Sequence, residues 1–373
     1  MTEQVSAVVI GGGIAGVSAA YHLAALGKVA LLEAEANLAH HSTGRSAALF
    51  FENYGAEPIR PLTRASKAFF LDPDPELVDT PLVAPRGALW IGRPEQAAAL
   101  ARVAEEGRAI GSGIVELAPS EAVEKAPMVD GERLGGAVWE PDPLDIDVAA
   151  AHQAYVRGLR SRGGTILTSS PVASIDQSGR GWRVAAGNRV ISTDLVVDAA
   201  GAWGDQVASL AGVDPVGLTP MRRTAFMVEG RPEWAHGPMV VDVDHTFYFK
   251  PDGSQVLCSP GDETPTVPGD ARPDPVDVSG AIERINAATT LAIRSVRTEW
   301  AGLRTFTGDR AMVIGPEPTR RGFVWLVGQG GTGIQTAPAA AELVTALAHG
   351  FPLPHRLLDA GVDPERLGPQ RLR

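Results

Sequence analysis

The chain opens on a glycine-rich turn between two apolar runs. Val8–Ile10 leads into the turn Gly11–Gly16, which continues as an apolar stretch to Gly27. A second apolar run, residues 29–32, ends at Glu33. This order of strand, glycine turn, helix, strand and acid predicts a complete βαβ unit of the kind that binds dinucleotides. It therefore predicts an α/β fold at the start of the chain.

Each glycine of this unit has a physical purpose. Gly11 permits the tight turn, Gly13 lets the backbone approach a pyrophosphate, and Gly16 lets the helix pack closely on the strand. The helix N-terminus offers free N–H groups and a positive dipole end to the phosphates. Glu33 follows the second strand, where a carboxylate can accept hydrogen bonds from ribose hydroxyls.

The uncharged stretch from Val5 to Gly27 would also be typical of a signal peptide or a membrane span. However, Met1–Gln4 contains an acid and no basic residue, whereas a signal peptide begins with a basic segment. The middle of the stretch is rich in glycine, and a strand ending in an acid follows it. We therefore favour the nucleotide-binding unit and expect no integral membrane segment.

The composition narrows the class of protein. A chain of 373 residues is long enough for two lobes. The net charge of −11 argues against a nucleic-acid partner or an anionic membrane surface. The single cysteine, Cys258, excludes an internal disulfide and a thiolate metal cluster, so no metal site is predicted. One cysteine also fits a reducing compartment, and we expect a cytoplasmic protein.

Later segments return to the first lobe. Val196–Trp203 is typical of a buried strand that runs into a glycine turn, and Phe323–Val327 is followed by a second glycine loop and a helix. Between about 215 and 300, short alternating strands indicate an antiparallel sheet. We predict an α/β fold with two domains. One is a Rossmann-like domain built from the discontinuous segments 1–48, 146–215 and 305–373. The other is a substrate-binding domain, a mixed or antiparallel β-sheet with helices, built from 49–145 and 216–304.

Five motifs carry a resemblance to a known family. They are GGGIAG with Glu33, HSTGRSAA (His41–Ala48), VVDAAGAW (Val196–Trp203), WAGLRTF (Trp300–Phe306) and GQGGTGIQT (Gly328–Thr336). In this order, and almost from end to end, the chain resembles the D-amino-acid oxidase superfamily of FAD-dependent oxidoreductases. Within it, the chain is most similar to the D-arginine dehydrogenase group. We expect His41–Ala48 to be a loop that leads into a helix.

The resemblance implies FAD bound without a covalent link. Glu33 would hold the adenosine ribose, Val172 would contact the adenine through its backbone, and the 330–335 segment would cap the flavin ring at a helix N-terminus. A positive helix end there would stabilise the charge of reduced flavin. The implied cofactor residues are Gly11, Gly13, Ile14, Ala15, Gly16, Glu33, Ser42, Arg45, Ser46, Ala47, Val172, Gly201, Trp203, Gly330, Gly331, Thr332, Gly333, Ile334 and Gln335.

Two of these interpretations have alternatives. Arg45 could form a surface salt bridge instead of lying near the cofactor. Cysteine tethers flavin in some related amine oxidases, but we interpret Cys258 as a small buried residue, because it falls in the second-lobe sheet away from the flavin motifs.

The resemblance also implies a substrate site. Arg223 and Arg304 match two arginines that clamp a substrate carboxylate, and an arginine fork suits that task because it binds a carboxylate bidentately. Tyr248 and Tyr54 match tyrosines that close over the substrate, and the Gly331 carbonyl would receive the amine. Gln335 matches a polar group near the substrate. Arg222 adjoins Arg223, and only one of two neighbours on a strand can face the site.

Three positions depart from the D-arginine dehydrogenase pattern. Ala88 replaces the acid that would pair with a guanidinium, Leu49 replaces a histidine, and Phe51 replaces a threonine. Together they predict an apolar side-chain pocket, in which a buried guanidinium would be costly. We therefore expect an apolar or aromatic D-amino acid to be preferred over D-arginine.

The expected activity is FAD-dependent oxidative deamination of a D-amino acid by hydride transfer from Cα to flavin N5. This gives an imino acid, then a 2-oxo acid and ammonia. The alternatives are oxidation of a secondary amine, cyclic imino acid or biosynthetic intermediate, and flavin binding without turnover. The electron acceptor could be oxygen, a quinone or another molecule. His41 and His245 match no catalytic base of the family.

Overall fold

A computed structural model describes residues 3–109 and 111–373. The described strands, in chain order, are β1 (Glu3–Ile10), β2 (Val29–Leu32), β3 (Leu49–Phe50), β4 (Val83–Pro85), β5 (Ala88–Gly92), β6 (Val115–Leu117), β7 (Gly136–Glu140), β8 (Leu144–Ile146), β9 (Thr165–Leu167), β10 (Val172–Ser178), β11 (Gly181–Ala186), β12 (Arg189–Asp198), β13 (Thr219–Glu229), β14 (Met239–Asp242), β15 (Tyr248–Asp252), β16 (Gln255–Ser259), β17 (Thr264–Pro265), β18 (Thr298–Phe306), β19 (Val313–Pro316) and β20 (Phe323–Val327).

The described α-helices are α1 (Ile14–Leu23), α2 (Arg60–Leu71), α3 (Ala97–Ala109), α4 (Pro119–Lys125), α5 (Val148–Ser161), α6 (Gly204–Leu210), α7 (Pro275–Ala288), α8 (Gly333–His349) and α9 (His355–Asp359). None of them is long and apolar enough to cross a bilayer. The helix expected directly after residue 48 is wrong, because the chain there pairs with β8 and forms the short strand β3.

The first sheet has a parallel centre in the order β9-β2-β1-β12-β20. Its strands are apolar on both faces. Val9 and Leu31 pack into the core beneath α1, α5 and α8, whereas Val8 and Leu32 pack into a second core on the opposite face. Burial on both faces is typical of parallel sheets. Since β12 ends beside β1, the carboxyl ends of the central strands and the glycine turn lie at one edge.

The second sheet is mixed. Its order is β17-β13-β16-β15-β14-β5-β7-β6, and β18 pairs with the other side of β13. Within this second sheet, the pairing of β14 with β5 is the only parallel one among the described strands. Side chains alternate between two cores: Leu89 and Phe249 pack on one face, and Ala88 and Tyr248 pack on the other. A third, small sheet has the order β3-β8-β4, and its strands fall between β2 and β9 in the sequence.

The predicted α/β class with one mixed sheet is confirmed. The division into two domains stays a prediction. The expected boundary between residues 304 and 305 falls inside β18. This strand therefore connects the second sheet directly to the loop that precedes β19.

Candidate cofactor and active site

One elongated cavity of about 480 Å³ joins the carboxyl edge of the first sheet to the second sheet. Glu33 and Val172 line one end, and Arg223, Tyr248 and Arg304 line the other. The predicted cofactor residues that also line it are Gly11, Gly13, Ile14, Ala15, Ser42, Arg45, Ser46, Ala47, Gly201, Trp203, Gly330, Gly331, Gly333, Ile334 and Gln335. Residues from distant parts of the sequence thus meet around one space.

The glycine turn is shaped by close backbone contact. A Cβ at Gly16 would lie 1.8 Å from the Gly11 carbonyl oxygen, so no larger residue fits without displacing the turn. Gly11 itself has a φ of +113°, which favours glycine. Thr43, which the sequence analysis did not single out, accepts a hydrogen bond from Ile14 N at 3.0 Å and satisfies one free donor of the helix.

Glu33 is held in place by the backbone around it. Its Oε2 accepts from Gly12 N at 2.6 Å and its Oε1 from Glu35 N at 2.8 Å. His152, on α5, lies beneath the same turn with its Nε2 3.0 Å from the Gly12 carbonyl oxygen. Burial lowers the pKa of His152, which favours the neutral ring against that carbonyl. No pattern around His152 in the sequence indicates this buried contact.

The 41–48 loop is tied to the second sheet. Ser42 Oγ donates to the Leu303 carbonyl at 2.6 Å. Arg45 lines the cavity, but its guanidinium donates to the Ala301 carbonyl at 2.9 Å and to Asp270 at 2.5 Å. Arg45 therefore forms the salt bridge that was the alternative interpretation, and its guanidinium is bonded to groups of the protein.

The rim beside this loop also brings three possible metal ligands together. Glu35, His40 and His41 place potential ligand atoms within 4.8 Å of one another. All three line the cavity, and the His41 ring lies 4.6 Å from that of Trp203. We assign them to the cavity wall.

The second glycine loop ends at the N-terminus of α8. Of the predicted cofactor residues, Gly16 and Thr332 lie outside the cavity lining. The Thr332 Oγ1 instead donates to the Gln329 carbonyl at 2.9 Å. Gly330 has a φ of +53°, and a Cβ there would lie 2.3 Å from the Phe306 ring. The first turn of α8 has no acidic residue, so its positive end is left for an anion.

Arg304 and Tyr54 meet directly above this loop. Arg304 Nη1 donates to the Tyr54 hydroxyl at 3.0 Å. A Cβ at Gly331 would lie 2.9 Å from that hydroxyl and 3.1 Å from Arg304 Nη1. Burial opposes the charge on Arg304, but the neighbouring tyrosines and Glu263 raise its pKa. Burial would raise the pKa of Tyr248, yet the positive charges of Arg304 and Arg223 outweigh it and lower that pKa.

Of the two adjacent arginines, Arg223 lines the cavity. Its Nε donates to the Asp262 carbonyl at 2.6 Å, and its Nη2 donates to Glu263 at 3.1 Å. Arg222 points to the other face and binds the Asp262 and Asp277 carboxylates.

Gln335 contacts the protein on all sides. Its Oε1 accepts from Phe51 N at 2.9 Å, and its Nε2 donates to the Phe51 carbonyl at 3.2 Å and to Thr63 Oγ1 at 3.1 Å. The amide thus brackets the backbone of Phe51. Its direct structural role is to position the segment that carries Tyr54.

Two of the three residues expected to form the side-chain pocket share one apolar cluster. Phe51 and Ala88 pack with Trp90 and Tyr248, whereas Leu49 lines the cavity itself. The rings of Phe51 and Trp90 lie 6.2 Å apart. This apolar wall reaches the cavity through Tyr248 and Ala225, which line it, whereas Phe51, Ala88 and Trp90 do not.

A carboxyl that the sequence analysis missed lies beside this wall. Glu140 is the direct cross-strand neighbour of Ala88 and is 3% exposed. Asn53 Nδ2 donates to its Oε1, and Trp90 Nε1 faces it without reaching hydrogen-bond geometry. Burial raises the pKa of Glu140 to about 7, against these two neighbours. The period-2 pattern of β7, in which Val138 is buried, could have placed Glu140 on this face.

The remaining candidates, Cys258 and His245, are not among the residues that line the cavity. Cys258 is fully buried and packs on the opposite face of the second sheet, outside the cavity lining. His245 packs edge-to-face on Trp90 at 5.4 Å, and burial lowers its pKa.

The fold and this site define a class of flavoprotein. The family model described as FAD dependent oxidoreductase matches residues 6–347. The chain belongs to this family, DAO, and the predicted superfamily is confirmed.

Known proteins of this class align along nearly the whole chain. Glycine oxidase of Bacillus licheniformis is 26% identical over 379 residues, covering 96% of this chain and 97% of that protein. Human mitochondrial sarcosine dehydrogenase is 26% identical over 378 residues, covering 94% and 40%. The crystal structure of L-proline dehydrogenase from P. horikoshii superposes with a TM-score of 0.84 at 22% identity, covering 100% and 98%. The narrower resemblance to D-arginine dehydrogenases stays a prediction.

The protein is an FAD-dependent oxidoreductase, and its cavity fits that cofactor. Glu33, after β2, and Gly331, before α8, both line this one cavity, which suits a dinucleotide that contacts both glycine loops. Two helix N-termini, those of α1 and α8, reach it without an acid in their first turns. Both ends therefore present positive potential to an anionic ligand.

Proposed function

We propose that this chain catalyses the oxidative deamination of a D-amino acid with an apolar or aromatic side chain. The observation that carries the proposal is the meeting of Arg223, Arg304, Tyr54 and Tyr248 at the end of the cavity next to Gly331. Two guanidinium groups beside an apolar wall match a carboxylate joined to an apolar substituent.

Each group has a defined task in this reaction. Arg304 and Arg223 bind the substrate carboxylate, and Tyr54 and Tyr248 close over it. The Gly331 carbonyl accepts a hydrogen bond from the amine and so orients Cα. Bound FAD supplies the hydride acceptor, the N5 atom of its flavin ring. The substrate loses the Cα hydride and an amine proton, and water converts the imino acid to a 2-oxo acid and ammonia.

The side-chain preference rests on the wall of the pocket. Leu49 lines the cavity, and Tyr248, which also lines it, packs with Phe51, Ala88 and Trp90. The Glu140 carboxyl, on the strand beside Ala88, is bound by Asn53. A guanidinium entering here would lose water without gaining a free carboxylate, which is costly. We therefore expect D-arginine to be a poor substrate.

A second candidate is the oxidation of a secondary amine, a cyclic imino acid or a biosynthetic intermediate. The similarity to sarcosine dehydrogenase along 94% of this chain favours it. A role as a flavin-binding protein without turnover is the remaining alternative, and a complete carboxylate clamp argues against it.

One experiment separates these candidates. The holoenzyme is mixed anaerobically with paired D- and L-amino acids and with secondary amines, and bleaching of the flavin absorbance is followed. We expect apolar D-amino acids to bleach it fastest, with each L-enantiomer as the matched control. If D-arginine or D-lysine leads the series, the apolar pocket is wrong. If secondary amines lead, the second candidate replaces the first, and no bleaching at all supports the binding protein. Admission of air then shows whether oxygen is the acceptor.

A further inference from the structure

Arg223 and Arg304 present their guanidinium groups differently. Among the described residues, Arg304 makes one side-chain hydrogen bond, to the Tyr54 hydroxyl at 3.0 Å. Arg223 instead donates to the Asp262 carbonyl and to the Glu263 carboxylate. Part of the fork that would hold a substrate carboxylate is thus already bound to a carboxylate of the protein.

Glu263 is fixed in this position from its other side. Arg310 Nη2 lies 3.0 Å from both of its carboxylate oxygens. The Arg310 guanidinium also lies over the Phe306 ring, 3.8 Å from its centroid. About a third of the Glu263 side chain is exposed, whereas only 13% of Arg223 is. Glu263 therefore forms an ordered bridge between an inner and an outer arginine.

The bridge sets the charge at the substrate end of the cavity. Arg223, Arg304 and Arg310 carry three positive charges, and Glu263 removes one. Glu263 therefore lowers the positive charge that a ligand carboxylate meets there. The influence of Glu263 reaches beyond its direct partner, because its negative charge also acts on Arg304. A ligand carboxylate bound there would be repelled by Glu263 through the same low-dielectric space.

We propose that Glu263 is a specificity-determining residue that lowers the affinity of the clamp for a carboxylate and leaves Arg304 as the main anchor. This inference rests on the proposed function, because it requires a substrate with a carboxylate. Glu263 acts through Arg223 and through its charge and does not line the cavity itself. Arg310, by partly neutralising Glu263, limits the repulsion. Glu263 therefore weakens the binding of a carboxylate, and Arg310 strengthens it.

The test uses two variants of the holoenzyme. Glu263→Gln keeps a hydrogen-bond acceptor for Arg223 but removes the charge, and Arg310→Gln removes the outer neutralising cation. Benzoate, a monocarboxylate with an aromatic ring, is titrated against the flavin absorbance. We expect Glu263→Gln to tighten benzoate binding by about tenfold, or about 1.4 kcal/mol, and Arg310→Gln to weaken it several-fold.

Two controls isolate the charge effect. Glu229→Gln removes an exposed charge from β13, and we expect it to leave the dissociation constant of benzoate unchanged. Benzamide, the neutral analogue, should bind all variants alike. A merely structural role of Glu263 predicts that both active-site variants weaken binding, and that result would overturn the inference.

The outcomes also separate this inference from the proposed function. If wild-type holoenzyme binds benzoate but Glu263→Gln does not tighten it, Glu263 does not set the clamp, and the proposed function stands. If no carboxylate, benzoate or apolar D-amino acid, perturbs the wild-type flavin spectrum, the clamp itself is wrong and both proposals fail.

Discussion

Replacing Glu140 by glutamine should change how the stability of the protein depends on pH. Burial raises the pKa of this carboxyl from its ordinary 4.5 to about 7 in the folded chain. Below pH 4.5 the group is protonated in both states and costs nothing. As the pH rises towards 7, the unfolded chain loses this proton first, so the free energy of unfolding falls. Since each pH unit between the two pKa values is worth about 1.4 kcal/mol, the loss reaches about 3 kcal/mol above pH 7.

The amide of Glu140→Gln does not ionise, so this loss should be missing in the variant. Urea unfolding of both proteins at about pH 5 and about pH 8, with the same excess of FAD, measures the difference. Relative to wild type, the variant should gain about 2.5 kcal/mol between the two pH values, because wild type has already lost about 0.8 kcal/mol at pH 5, whatever constant penalty the amide carries. Glu116→Gln, on the exposed strand β6, is the matched control and should show no such gain. Equal differences at both pH values would refute the reasoning.

Three further predictions concern the cofactor and the substrate end. Gly16→Ala should lose FAD and cost at least about 1–3 kcal/mol, because its Cβ would lie 1.8 Å from a carbonyl oxygen. Gly308→Ala, which meets no atom within 4 Å, should keep its flavin absorbance and melting temperature; loss of flavin in both would point to general instability. Arg304→Met should lower kcat/KM in anaerobic flavin reduction by about a hundredfold or more, since charge-assisted hydrogen bonds are worth about 1.5–3 kcal/mol each. Arg231→Met, at a surface residue, should leave kcat/KM unchanged. A loss of only threefold in kcat/KM for Arg304→Met would contradict the proposed clamp. Because Arg304 and Arg223 lower the pKa of Tyr248, carboxylate affinity should fall as the pH rises through that pKa and a phenolate forms. Tyr248→Phe should remove this alkaline limb from benzoate titrations, and an unchanged limb would assign it elsewhere.

The two glycine loops at the cofactor end of the cavity could be predicted from the local sequence pattern. The turn from Gly11 to Gly16 needs glycine for reasons that act within a few residues, so its spacing predicts both the turn and the ligand. The same holds for Glu33, which follows its strand directly. The second glycine loop, ending at Gly333, was likewise readable because a strand precedes it and a helix follows it.

Long-range contacts could not be read in this way. Nothing near Gln335 in sequence shows that its amide brackets Phe51, which lies 284 residues away. Glu140 became a neighbour of Ala88 only through the register of β5 and β7, so the pocket looked free of acid from the sequence alone. Glu263 follows a strand end and resembles any exposed acid until Arg223 and Arg310 are seen on either side of it.

The proposed carboxylate clamp depends on the register of one pair of strands. On β13 and β18, Met221 lies opposite Arg304 and Arg223 lies opposite Gly302, so both arginines project from the same face. A slip of one residue would turn Arg223 to the other face, because side chains alternate along a strand. Arg222 already projects from that other face, where its guanidinium is hydrogen-bonded to the Asp262 and Asp277 carboxylates. Sheet register therefore decides which of the two adjacent arginines faces the cavity. A resemblance in motif supports the proposed clamp only if that register is kept.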